Sequence, residues 1–321
     1  MKEPVSAPEL SLSVVLPVYN EAGNLETFIP ELSGVLRDLG RSYEIIAVDD
    51  GSTDPSVATL RRLKAQEPHL RIVRFRRNFG QTAAFTAGFD LARGEVVITM
   101  DADGQNDPAD IPKLLKIMED GEYDIVSGWR QERKEPFLSR RLPSMIANRI
   151  IAKSTGVALH DYGCSLKLYH WEVAKNVNLY GELHRFIPAL ASEMGVRVAE
   201  APVNDRPRRY GKSKYNLSKT VRVILDLLTI TFLLNYVARP MQFFGLAGLA
   251  SGGVGFALGL YLTLLKLVTG ADIGNRPLLL LAILLLILGV QFVMMGLLGE
   301  LLSRTYFEVQ GKTIYMIRAE E

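Results

Sequence analysis

Apolar residues come in short blocks over the first two-thirds of the chain and in long unbroken runs thereafter. "LSVVLPVY" (12–19), "YEIIAVDD" (43–50), "LRIVRF" (70–75), "EVVITMDAD" (95–103) and "YDIVSGW" (123–129) are β-branched or apolar blocks of strand length. Between them, Asn24–Leu39, Pro55–Gln66, Gln81–Ala92 and Pro108–Met118 read as helices. Strictly alternating strands and helices predict an α/β fold, a mainly parallel sheet with helices on both faces. Such sheets gather ligands at the carboxyl ends of their strands. Polar clusters stand at those ends: Tyr19-Asn20-Glu21, Asp49-Asp50-Gly51-Ser52, Arg77-Asn78 and Asp101-Ala102-Asp103.

The later runs have a different character. Residues 241–265 and 277–299 contain no Asp, Glu, Lys or Arg, and each exceeds the roughly 20 residues that cross a hydrocarbon core of about 30 Å. They predict two transmembrane helices, since the alternative, buried helices of a soluble core, are seldom so long and uncharged. Arg206, Arg208, Arg209, Lys212, Lys214, Lys219, Arg222 and Arg239 precede the first run, and Arg304, Lys312 and Arg318 follow the second. The connection holds only Lys266 and Arg276, so the positive-inside rule predicts a hairpin with both termini in the cytosol. The first ten residues, "MKEPVSAPEL", lack the apolar core of a signal peptide, which also assigns the soluble part to the cytosol.

Just before the first run, Leu217, Val221, Ile224, Leu225 and Leu228 recur at helical spacing, away from Lys219, Arg222 and Asp226. This amphipathic helix suits the membrane interface or a face of the soluble domain equally well, and Pro240 should break the chain after it. The expected organisation is a cytosolic domain over 1–215, interfacial helices over 216–239, two membrane helices over 240–303 and a cytosolic tail over 304–321.

At 321 residues and 48% hydrophobic content the chain can form one large domain or two smaller units. A formal net charge of +2 indicates no polyanion partner, and nucleic acid is not expected. Cys164 is the single cysteine, consistent with a reducing compartment and better read as a small buried side chain than as a nucleophile. His160 and His184 stand apart, without metal-ligand spacing, and are expected to pack or hydrogen-bond.

Asp101 and Asp103 are the candidate chemistry. Asp107 followed by Pro108 is a good helix N-cap and first-turn pair, which leaves the two upstream carboxylates without that role. In an extended segment residues i and i+2 face one side, so both can address a single hard cation, Mg²⁺ or Mn²⁺ bridged to a diphosphate. Asp50 either closes a turn before Gly51 or meets a base or ribose; Asp54, ahead of Pro55, already serves as a cap and favours the second reading. "RPRRYGKSK" (206–214) is either a polybasic flank for anionic lipid or, with Gly211 and Ser213 inside it, a shaped phosphate loop.

"VVLPVYNEAGNL", "IIAVDDGSTD", "RNFGQTAAFTAGF", "ITMDADGQNDP", "HDYGCSLKLY" and "RRYGKSKY" together resemble the inverting family-2 glycosyltransferases that charge polyprenyl phosphates, over nearly the whole chain. The resemblance implies a GT-A (Rossmann-like) domain that moves a sugar from a nucleotide-sugar, expected to be a UDP-sugar, to undecaprenyl or another polyprenyl phosphate at the inner (plasma) membrane. It implies that Pro17, Tyr19, Glu21 and Asp50 hold the nucleoside, with Arg77 also on the donor side. It assigns Asp101, Asp103 and Gln105 to metal and diphosphate, and Arg130, Arg140 and Ser144 to phosphates. Arg206, Arg209, Lys212 and Lys214 would guide the acceptor phosphate. Asp103 and Asp161 become the catalytic candidates, although Asp161 could equally cap a turn before Gly163, and in some relatives the acidic residue stands nearer the position of Ser165. The implied partners are donor, lipid acceptor and membrane lipid; a homo-oligomer is left open.

Two other readings are weaker. A processive polysaccharide synthase would carry a Gln-x-x-Arg-Trp motif, and neither Trp129 nor Trp171 sits in one. A non-catalytic membrane scaffold that keeps the fold would have no need of the carboxylate pair.

Overall fold

The computed structural model describes residues 8–131, 152, 157–177, 183–207, 240–270, 272–274 and 276–310. The chain divides into two compact units, residues 2–228 and 229–321. Arg140, Ser144, Arg209, Lys212, Lys214 and the amphipathic segment 216–239 lie outside the described residues, as does the tail beyond residue 310.

In the first unit, β1 (Leu10–Val18), α1 (Ala22–Asp38), β2 (Tyr43–Asp49), α2 (Ser56–Lys64), β3 (Leu70–Arg74), α3 (Gln81–Leu91) and β4 (Gly94–Thr99) alternate as the patterning predicts. A 3₁₀ turn (Pro108–Asp110), α4 (Ile111–Asp120) and β5 (Ile125–Arg130) follow, then β6 (Lys167–His170), α5 (Trp171–Asn176), a second 3₁₀ turn (Leu183–Phe186), α6 (Ile187–Ala191) and β7 (Val198–Val203). The strands form one sheet in the order β3-β2-β1-β4-β6-β5-β7. β1 pairs in parallel with β2 and β4, β2 with β3, and β5 with β7, whereas β6 runs antiparallel to β4 and β5. The sheet is therefore mixed, and β6 is its reversed member.

Alternation along β1 sorts the core into two layers. Leu12, Val14, Leu16 and Val18 face one side with Leu25, Phe28 and Ile29 of α1 and Leu114 of α4; Val15 faces the other with Ala84, Phe85 and Phe89 of α3. Helices cover both faces, so the central strands are apolar throughout, and β2 is buried along its whole length. Gly88 fits α3 against β1: a Cβ there would lie 2.1 Å from Val15 Cγ1.

Element ends depart from the expected ones for local reasons. α1 begins at Ala22 rather than Asn24 because the Asp54 carboxylate, from the next loop, accepts the Ala22 N–H at 3.2 Å. The expected helix from Pro108 starts as a 3₁₀ turn because Pro112 has no N–H to bond the Pro108 carbonyl, so Ile111 bonds it instead.

The second unit contains α7 (Pro240–Thr269) and α8 (Pro277–Gln310), both longer than the uncharged runs. Pro240–Thr269 and Pro277–Ser303 are long and apolar enough to cross a membrane, with mean hydropathies of 1.7 and 2.9. Their outer surfaces expose Leu246, Leu249, Val268 and Leu280. The helices meet through small residues: a Cβ on Gly289 would lie 2.8 Å from Gly252 Cα, and one on Gly255 would lie 2.8 Å from the Ala282 carbonyl oxygen. Ser251 Oγ donates to the Leu285 carbonyl at 3.0 Å.

Candidate active site

Strand order reverses direction between β1 and β4, and the carboxyl ends of such a pair diverge into a crevice. A cleft of about 400 Å³ opens there. Pro17, Tyr19 and Glu21 line it from the end of β1, Asp50 from β2, Asp101 and Asp103 from β4, and Asn78, Gly80 and Gln81 from the loop into α3. Six expected donor or metal residues thus share one space.

Cross-bonds between loops hold its walls. Asn20 adopts a left-handed φ of 58°, and its side-chain oxygen accepts the Thr53 N–H at 2.8 Å. Ser52 Oγ accepts the Asn20 N–H at 3.0 Å, and Ser56 Oγ accepts the Glu21 N–H at 2.9 Å. Asp54 accepts the Ser56 N–H at 3.0 Å, so it starts α2 while also capping α1. Asp49 takes the turn role, accepting the Ser52 N–H at 3.3 Å. Asp50 does something the sequence did not suggest: its two oxygens accept the Phe79 N–H at 2.6 Å and the Gly80 N–H at 2.9 Å. Gly51 permits this approach, since at φ 71° an added Cβ would lie 2.5 Å from the Arg77 backbone carbon.

Asp101 accepts Gln81 Nε2 at 2.6 Å. Burial first, and then the neighbouring Asp103 charge, push the Asp101 carboxyl above its ordinary value. Asp103 also accepts the Gln105 N–H at 3.1 Å, closing the turn after the pair. Asp107 caps the following turn as expected, accepting the Ala109 N–H at 2.9 Å. Asn106, which sequence reading passed over, braces the loop: its oxygen accepts the Asp101 N–H at 3.3 Å and Ser165 Oγ at 2.6 Å. Ser165 arrives there because β6 runs antiparallel to β4, which brings the residues before β6 to the carboxyl end of β4.

Other expected residues lie elsewhere. Gln105 is not among the residues lining the cleft; its carbonyl accepts the Arg206 N–H at 2.9 Å. Arg77 is exposed, its guanidinium 4.6 Å from the centre of the Phe79 ring. Arg130 is held by Asp161, with Nε 2.8 Å from Oδ2 and Nη2 3.3 Å from Oδ1. Asp161 also accepts the Gly163 N–H at 3.0 Å, the turn that was its alternative role. Arg206 bridges Glu31 at 2.7 Å and Asp107 at 2.6 Å. Cys164 is buried, and burial pushes its thiol up to about 11. His160 stacks on Trp129 at 4.3 Å, and His184 Nδ1 lies 2.8 Å from Thr82 Oγ1.

A crevice at the reversal of a Rossmann-like sheet, walled by an aromatic and closed by two neighbouring carboxylates, defines a nucleotide-sugar transferase of the GT-A type. Residues 13–177 match the family model described as glycosyl transferase family 2, and the chain belongs to that family. It is 44% identical over 319 residues, 98% of this chain and 94% of the relative, to the dodecaprenyl-phosphate galacturonate synthase of Rhizobium johnstonii. It is 38% identical over 310 residues, 96% of this chain and 93% of the relative, to the undecaprenyl-phosphate 4-deoxy-4-formamido-L-arabinose transferase of Edwardsiella ictaluri. Glucosyl-3-phosphoglycerate synthase from Mycobacterium tuberculosis, solved with Mn²⁺ and UDP-glucose, shares the fold at TM-score 0.53 and 19% identity, over 70% of this chain and 79% of that one. The chain is a glycosyltransferase.

Proposed function

We propose that the protein transfers a sugar, with inversion, from a nucleotide-sugar to a polyprenyl phosphate at the cytosolic face of the inner membrane, giving a polyprenyl-phosphate-sugar. The observation that carries this reading is the Asp101–Asp103 pair in the cleft, in a chain 44% identical to a dodecaprenyl-phosphate sugar synthase. Tyr19 and Glu21 flank the nucleoside of a UDP-sugar, and Asp50 fixes the opposite loop. Asp101 and Asp103 would hold Mg²⁺ or Mn²⁺; the donor set fits, because two carboxylates two positions apart line the same cleft and offer the hard oxygen ligands such ions take. Such a cation, when bound, neutralises the leaving diphosphate.

The acceptor needs little activation. A phosphate monoester has a second pKa near 6 and is mostly dianionic at neutral pH. One of its oxygens attacks the anomeric carbon from the face opposite the diphosphate; the new C–O bond forms as the bond to the diphosphate breaks, and no proton has to move. Side chains therefore need only orient and neutralise. Arg130, which Asp161 holds at 2.8 Å, would meet the acceptor phosphate, which would make Asp161 a positioning residue. The basic segment 206–214 guides the phosphate from the membrane surface. Residues 1–215 form the catalytic domain, α7 and α8 the membrane hairpin, and both termini face the cytosol.

The test supplies detergent-solubilised full chain with undecaprenyl phosphate and labelled UDP- or GDP-sugars. Transfer to lipid should stop on EDTA addition, return with excess Mn²⁺ or Mg²⁺, and fall at least 100-fold in Asp103→Asn. Undiminished transfer in thoroughly chelated enzyme refutes the metal assignment, and no lipid product from any donor refutes the function.

A further inference from the structure

A second cavity, about 60 Å³, adjoins the cleft, with Asp101 and Gln81 lining both. Two cations border it. Lys167, the first residue of β6, is 2% exposed. Its ammonium can donate three hydrogen bonds, and it donates to the carbonyls of Tyr162, at 3.1 Å, and Cys164. Among the described residues no carboxylate lies within ion-pair distance of it, although buried lysines are ordinarily paired. Arg185, in the second 3₁₀ turn, borders the same space from its exposed side and likewise forms no ion pair among the described residues. Asp101 is the one carboxylate among the described lining residues, and it faces the metal cleft too.

Size limits what can enter. At roughly 10–15 Å³ per water-sized group, the cavity takes a few heavy atoms, enough for one substituent and too few for a pyranose ring. Asp101 and Gln81 line both spaces, so on the nucleotide-sugar reading, with the diphosphate at the carboxylate pair, the sugar end of the donor would extend toward it. We propose that this cavity reads an acidic sugar: it receives the carboxylate of a uronic-acid donor, with Lys167 and Arg185 as counter-charges. The proposal rests on the larger cleft being a nucleotide-sugar site.

The rival role for these cations is to neutralise the diphosphate, and donor pairs separate the two. With full chain in detergent and Mn²⁺, binding of UDP, UDP-glucose, UDP-glucuronate, UDP-galactose and UDP-galacturonate is measured by calorimetry, with the GDP-mannose and GDP-mannuronate pair run alongside. Uronates should bind at least tenfold more tightly than their neutral counterparts, the scale of one charge-assisted bond. Lys167→Met should erase that preference while leaving UDP affinity within about twofold. Arg185→Gln, at an exposed position where folding is not at risk, should reduce the preference several-fold. Equal binding of acidic and neutral sugars, or an equal loss of UDP and uronate affinity in both variants, overturns the proposal while leaving the nucleotide-sugar reading intact. Failure of every nucleotide and nucleotide-sugar to bind would sink that reading and the proposal with it.

Discussion

Replacing Asp50 with asparagine tests what holds the cleft open. Asp50 is 4% exposed, and each oxygen accepts a backbone N–H, from Phe79 at 2.6 Å and Gly80 at 2.9 Å. An amide keeps one acceptor. Its NH₂ group must then face a backbone N–H, donor against donor, at a residue that exposes little of itself to solvent. Downgrading one charge-assisted bond to a neutral one costs about 1 kcal/mol, and stranding a buried donor costs about 1–3 kcal/mol. The sum, about 2–4 kcal/mol, corresponds to roughly 30- to 900-fold more frequent opening of the 78–81 loop at about 1.4 kcal/mol per decade. Loosening reaches the carboxylate pair, because Gln81, which bonds Asp101 at 2.6 Å, follows directly.

Hydrogen exchange at the Phe79 and Gly80 amides reads this opening directly. In Asp50→Asn both should lose at least one decade of protection, while amides in the buried strand β2 keep theirs. Donor affinity should fall as a consequence. If affinity falls and protection at Phe79 and Gly80 does not change, Asp50 contacts the nucleoside itself and the loop-anchor account is wrong.

Two further outcomes follow from burial and from helix packing. Burial, reinforced by the Arg185 and Lys167 charges, lowers the His184 pKa to about 3 from 6.5, so below pH 6.5 the unfolded chain binds a proton that the folded chain refuses. Stability present above pH 6.5 is lost as pH falls toward 3, by about 2 kcal/mol at pH 5; thermal unfolding of His184→Gln should lose correspondingly less between pH 7 and 5, and parallel curves would contradict this. In the hairpin, Gly289→Leu should abolish cross-linking between cysteines introduced at Ser251 and Leu285, since its Cβ would lie 2.8 Å from Gly252 Cα, whereas Gly259→Leu, with nothing within 4 Å, should not; equal yields in the two variants would refute the close approach.

The strands that sequence patterning identified are those with apolar residues on both faces. β6 escaped it because it is only "KLYH", opening with a buried lysine, and β7 because "VAEAPV" carries Glu200 and Pro202, tolerable only in the edge position it occupies. Missing β6 had a further consequence, since its reversed direction is what carries Tyr162–Lys167 to Asp101. Local chemistry was legible: the Asp107 cap, the Asp54 helix start and the Asp101–Asp103 pair each depend on near neighbours in sequence. Contacts across long separations were not. Asp50 to Phe79, Arg130 to Asp161 and Asn106 to Ser165 join residues 29, 31 and 59 positions apart, and no spacing rule announces them.

The bonds made by the other aspartates also set Asp101 apart. Asp49, Asp50, Asp54, Asp107 and Asp161 each accept backbone N–H groups that fix a loop, and Asp161 and Asp107 in addition meet Arg130 and Arg206. Asp101 instead accepts from the neutral amide of Gln81 and sits beside a second carboxylate; burial first, and then that neighbouring charge, raise its pKa against the opposing pull of Arg130 and Arg185. A sheet that only had to fold would gain by replacing one of the two with a neutral side chain, because two neighbouring desolvated carboxylates oppose folding. On the proposed reading, the bonds that fix the surrounding loops would present both carboxylates already in place, so a cation arriving with an anionic diphosphate would meet ligands that need little rearrangement.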